Sequence, residues 1–317
     1  MVLQTNIPFA KESYNPITYD SKVCLLGSCF SEHMSGKLAY YKFKIFQNPF
    51  GILFHPKAIE NLLLKAINYD TYTEADIFYA NERWHSFEAH SDLSHADKNV
   101  LLENLNFAVA ETNMFLRDAS HVIITLGTAW AYRHIETDTI VANCHKVPQK
   151  QFLKEIILVD EVTASVENCV ALLKNINPKI TIVFTVSPVR HLKDGFVENQ
   201  QSKAHLLAGI HQIVSKRHQI HYFPSYELMM DELRDYRFYA DDMIHPNSLA
   251  VNYIWEKFQH AWISHESEQT IETVENIQKG LEHKPFNPKS EQHQKFLANL
   301  QAKIEKLQQQ FPFMKFR

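Results

Sequence analysis

The chain has 317 residues, 45% hydrophobic and 21% charged, with a formal net charge of -4; it can bury a full core and offers no basic surface for nucleic acid. No apolar stretch is long enough to span a bilayer, and Met1 to Glu12 lacks the charged-then-apolar pattern of a signal peptide. Four scattered cysteines (Cys24, Cys29, Cys144, Cys169) form no C-x-x-C pair, which argues against a disulfide framework or zinc knuckle and makes a reducing cytoplasm the expected location.

The first element is a buried strand, Val23 to Leu26, which ends at Gly27-Ser28 and leads into a helix. Continuous apolar runs recur at Val122 to Leu126 and Ile180 to Val186, with a shorter one at Ile220 to Phe223. Such runs suit parallel strands covered on both faces. Between them, Val162, Val166, Cys169, Val170 and Leu173 share one helical face, as do Leu206, Leu207, Ile210, Ile213 and Val214. Asn177-Pro178 punctuates the passage from the first of these helices into the next strand. The alternation predicts a doubly wound parallel α/β sheet over residues 1–264, with ligands bound at the carboxyl ends of its strands. From 265 to 317 the composition shifts to Glu, Gln, Lys and His, and Leu297, Leu300, Ile304 and Leu307 form a two-heptad seam. That is too short for a coiled coil and reads as a helical extension packed on the main domain, with a homodimer contact as the other use of these helices.

Glycine is scarce, with seven in the chain, and three of them (Gly27, Gly51, Gly127) fall at strand ends or loops beside polar residues. Ser28 follows a strand end and opens a helix, where backbone N–H groups and the helix dipole favour a developing oxyanion. An N-cap role for Ser28 or Ser31 is the competing reading. Cys29 is a rival nucleophile that is expected to point inward beside Phe30. A hydroxyl nucleophile needs a base and the base an orienting group; Asp242-Met243-Ile244-His245 supplies both. The same D-x-x-H spacing occurs at Asp92–His95 and Asp118–His121, but the latter lies at the wrong end of a strand. Asp242–His245 sits on a loop that enters a terminal helix.

Several of these motifs together resemble a known family. Gly27-Ser28-Cys29-Phe30-Ser31 closely resembles the motif of the GSCFA family, a branch of the SGNH (GDSL-like) esterase and acyl-hydrolase superfamily. Asn48-Pro49-Phe50-Gly51, Trp84-His85-Ser86, Gly127-Thr128-Ala129-Trp130, Asn143-Cys144-His145-Lys146, Ser187-Pro188-Val189 and Asp242-to-Pro246 extend the match over about residues 20 to 260. The resemblance implies a flavodoxin-like sheet, Ser28 as nucleophile, Asp242 and His245 as orienting acid and base, and Gly51 as a backbone oxyanion donor. It departs from the superfamily pattern at Ala129, where an Asn is usual, so Thr128 or Asn143 is expected to be the third donor.

The function so read is a serine esterase or acyltransferase acting on a small-molecule or glycan O-acyl ester, with no cofactor and no metal. Asn48, His85 and Trp130 are expected to help bind substrate. Two other readings stay open: a non-catalytic binding module on the same fold, and a metal-dependent phosphoesterase built around His85, His90 and His95. Intervals of five place those three histidines on no common face of a helix or strand.

Overall fold

The computed structural model describes residues 5–214 and 219–316; the first four residues of the Met1–Glu12 segment lie outside the described part. In chain order the strands are β1 (Lys22–Gly27), β2 (Lys44–Gln47), β3 (Phe78–Ala80), β4 (Arg83–His85), β5 (His121–Leu126), β6 (Trp130–His134), β7 (Thr139–Val141), β8 (Phe152–Ile156), β9 (Thr181–Val186) and β10 (Ile220–Tyr222). The helices are α1 (Cys29–Tyr40), α2 (Pro56–Asn68), α3 (Lys98–Asp118), α4 (Val159–Ile176), α5 (Phe196–Ile213), the short α6 (Ser225–Glu227), α7 (Ser248–Trp262), α8 (Glu268–Glu282) and α9 (Glu291–Gln310).

Five strands form an all-parallel sheet in the order β10-β9-β5-β1-β2. The chain leaves β1 for β2 on one side and then crosses to β5 on the other. The order reverses between β1 and β5, and a crevice opens there at the carboxyl ends of the strands. This is the flavodoxin-like doubly wound arrangement expected from the sequence. Period-two alternation divides the sheet between two cores: Cys24, Leu26, Ile124 and Phe184 pack under α2 to α5, while Val23, Leu25, Ile123 and Val183 pack under α1 and α7 to α9.

The four strands anticipated from apolar runs are present, with ends shifted by a residue or so. A three-stranded antiparallel sheet, β7-β6-β8, and the β3-β4 hairpin are additional. The extension is packed as expected: Leu300, Ile304 and Leu307 are buried in the second core, and only Leu297 of the seam is exposed. Among the described residues no helix is long and apolar enough to cross a membrane.

Candidate active site

Two turns build the centre of the site. At the first, β1 ends in Gly27 with φ 131, and a Cβ there would lie 2.2 Å from Thr125 O on the neighbouring strand. Only glycine lets the chain bend this sharply against β5. Ser28 then caps α1, its Oγ accepting from Phe30 N–H at 3.3 Å, so the N-cap reading and the nucleophile reading describe one and the same hydroxyl. Ser31 is placed differently: its hydroxyl donates to Leu26 O at 3.0 Å inside the core.

At the second turn, Met243 adopts φ 56, which folds the Asp242 carboxylate back over its own loop. Asp242 Oδ1 accepts from Ile244 N–H (2.9 Å) and His245 N–H (3.0 Å), and Oδ2 is 2.6 Å from His245 Nδ1. These bonds hold the Asp242 carboxyl down at about 2, so it is ionised at neutral pH. An ionised Oδ2 requires the proton on Nδ1, which leaves His245 Nε2 as the basic nitrogen.

Ser28 and His245 line one cavity of about 610 Å³, together with Thr128, Asn143 and Trp130. Their side chains are not hydrogen-bonded to each other; a proton transfer requires the two to come within hydrogen-bond reach, a contact that often tightens only when substrate is bound. Cys29, expected to point inward, also lines this cavity. Burial and the nearby Glu32 push its thiol up, so it is protonated at neutral pH and a poor rival to Ser28.

A family model described as the GSCFA family matches residues 22–258, and a second, described as the C-terminal domain of GSCFA domain proteins, matches residues 274–317. The chain belongs to the GSCFA family. No curated protein matches this GSCFA chain. Two solved structures are remotely similar to it. One is a carbohydrate esterase family 3 protein from Talaromyces cellulolyticus, 9% identical, covering 81% of this chain and 99% of that one with a TM-score of 0.37. The other is an acetyl esterase mutant with acetate ion, 11% identical, covering 80% of this chain and 99% of that one with a TM-score of 0.35.

The remaining expected site residues of the GSCFA chain fall in three places. Thr128 and Asn143 are at the cavity. Thr128 Oγ1 accepts from Trp130 N–H at 3.1 Å and lies 2.9 Å from Ser202 Oγ, so it is held within its own turn. Asn143 Oδ1 accepts from His145 N–H at 2.8 Å, which fixes the amide and leaves Nδ2 as the free donor. Gly51 and Asn48 sit behind the cavity wall. Gly51 N–H donates to Asn48 O at 2.8 Å, and its φ of 74 brings it so close to His90 that a Cβ would be 2.3 Å from that side chain. Asn48 Oδ1 accepts from Gly27 N–H at 2.9 Å, bracing the Gly27–Ser28 turn from the end of β2, so its contact is with that turn and not with the cavity. His85 lines a neighbouring cavity instead; its two ring nitrogens are engaged by Ser94 Oγ (2.7 Å) and Ala80 O (3.0 Å). Among the described residues, no three His, Cys, Asp or Glu side chains are grouped to hold a metal.

Sequence reasoning missed two residues on α5. Lys203 is 1% exposed, and its Nζ donates to Gly127 O and Ser187 O, both at 2.7 Å. It ties together the carboxyl ends of β5 and β9. Burial pushes its ammonium down to about 7. Ser202 Oγ accepts from Ala129 N–H at 2.7 Å, so α5 grips the Gly127–Ala129 turn through two adjacent side chains. The buried stripe Leu206–Ile210, extended back three and four residues, reaches exactly these positions, and that is the signal that marks them. His191 and His55 also line the cavity; burial lowers both to about 3, so they are neutral walls there.

Proposed function

We propose that this protein is a serine esterase that cleaves O-acyl esters through Ser28, His245 and Asp242. The observation that carries the reading is the convergence of a helix-capping serine at the topological switch point and a carboxylate-oriented histidine on one cavity. His245 Nε2 takes the Ser28 proton as Oγ attacks the acyl carbon, while Asp242 keeps the imidazolium in register. Negative charge develops on the carbonyl oxygen near the N-terminus of α1, where the helix dipole opposes it. Asn143 Nδ2 is the side-chain donor we assign to that oxygen, in the role that Ala129 cannot fill. Ser28 N–H donates to Thr125 O (3.1 Å), so it contributes to the oxyanion only as a shared, bifurcated donor, while Gly51, whose N–H donates to Asn48 O (2.8 Å) behind the cavity wall, is left out of the hole. Protonated His245 then returns its proton to the departing alkoxide, and water attacks the acyl-serine by the reverse path. An alcohol in place of that water gives acyl transfer by the same groups.

The test is release of acetate from aryl acetates and O-acetylated sugars by the wild type, Ser28→Ala and His245→Ala. Loss of about 10⁴-fold or more in kcat in each variant supports the triad. Turnover that survives Ser28→Ala, or a wild type that binds O-acetylated sugars without cleaving them, removes it; the latter outcome describes a binding module.

A further inference from the structure

A second cavity of about 580 Å³ abuts the one that holds Ser28. Asn143 lines both, and His90 of the first is followed directly by Ser91 and Asp92 of the second. The shared wall is a strained turn. His145 and Lys146 take φ values of 48 and 60, two consecutive non-glycine residues in the left-handed region. Such residues are costly and persist only where their surroundings over-determine them. Here they are so fixed: His145 N–H donates to Asn143 Oδ1, Asn81 Nδ2 donates to His145 O at 3.4 Å, and His145 Nε2 is 2.7 Å from Ser86 O. The last bond places the ring proton on Nε2, and the buried Nδ1 has no partner. A rigid polar wall is thus held between the two cavities.

The charges around the second cavity are unbalanced. Arg83 and Lys146 line it, and among the described residues neither is paired with a carboxylate; the Arg83 guanidinium donates to Ser94 O. Asp92, the one acid lining it, is 76% exposed, with Oδ2 3.1 Å from the His90 Nδ1 that accepts from Asp92 N–H. Two cations outnumber that one acid beside neutral Asn81, Asn143 and His145, a lining that suits an oxygen-rich anion.

We infer that the second cavity is the alcohol-side subsite, and that the preferred substrate is an O-acylated, hydroxyl-rich alcohol bearing a carboxylate or phosphate held by Arg83 and Lys146. The inference rests on the esterase reading, since it orders one substrate across both cavities. The acyl group lies at Ser28, the ester oxygen passes Asn143, and the anion reaches the Arg83–Lys146 pair.

Three acetyl esters of one sugar test it: O-acetylated glucose, glucuronic acid and glucose 6-phosphate, with kcat and KM measured for the wild type and for Arg83→Gln/Lys146→Gln. The expected result is a preference of about tenfold or more for one or both anionic esters, expressed in KM, weakened by salt and abolished in the double variant. A preference for the phosphate over the carboxylate, or the reverse, tells the two anions apart. Equal kcat/KM for all three in the wild type, or a preference that persists in the double variant, overturns the inference. If the wild type cleaves none of them, and no aryl acetate either, the esterase reading fails by itself. Equilibrium binding of glucuronate and glucose 6-phosphate then decides the subsite: binding lost in the double variant supports it, and no binding overturns it.

Discussion

Asn143 and Ser28 show how far individual residues of this site can be read. Ser28 and the Asp242–His245 pair were legible because each sits where local sequence announces a turn: a glycine after an apolar run, or a D-x-x-H loop before a helix. The orientation of Asn143 was not legible, because it depends on a hydrogen bond to His145 N–H that two left-handed residues create. With its Oδ1 so committed, Asn143 is expected to matter more than Thr128, whose hydroxyl is held by its own turn. Asn143→Ala should lower kcat by about 10²- to 10³-fold with a small change in KM, as loss of one oxyanion donor does. Thr128→Val, assayed on the same aryl acetate, should lose less; the opposite ranking would reassign the donor.

At the scale of elements, the parallel sheet was visible because β1, β5 and β9 are buried on both faces and therefore read as unbroken apolar runs. The edge strand β2 was not: its residues Lys44 to Gln47 are half-buried or exposed and mix charged with apolar side chains. The same mixing hid the β6–β7 hairpin and the more distant β8 that pairs with it, none of which leaves a strong local period. Helix α5 held the largest surprise, since a lysine in a Gln-Gln-Ser-Lys run is marked as pointing inward only by the apolar stripe that follows it on the same helix face. Burying that cation is tolerable because two strand-end carbonyls accept its protons. Lys203→Met should therefore leave both carbonyls unsatisfied and destabilise the fold by about 1–3 kcal/mol, measured by urea denaturation. An unchanged midpoint and slope would show that the two carbonyls find other donors.

Across the whole molecule, the C-terminal extension is part of the fold's second core. Ile271, Val274, Ile277, Leu300, Ile304, Leu307 and Met314 are all buried there. At roughly 1.5–3 kcal/mol for each such side chain, their sum rivals the net stability of an ordinary domain. A chain ending at Ser267 should lose cooperative thermal unfolding; a truncated protein with the full-length transition temperature would show that the helices are accessory. Acid should also weaken the molecule. Burial lowers His55 to about 3 and His121 to about 4, below the ordinary value near 6.5. As pH falls from about 6.5 toward 4, the unfolded chain takes up these protons while the folded one does not, so stability drops. The slope is at most roughly 1.4 kcal/mol per pH unit for each histidine. Calorimetry should show a transition temperature that falls steadily from pH 7 to pH 4.5, and a flat profile would contradict the neutral buried histidines.

The most direct test of the central claim is fluorophosphonate labelling of the intact protein with peptide mapping, on the wild type, Ser28→Ala and His245→Ala. One adduct is expected, on Ser28, in the wild type; none in the Ser28 variant; and strongly slowed labelling in the His245 variant. No adduct on the folded wild type, or an adduct on another residue, would contradict Ser28 as an activated nucleophile.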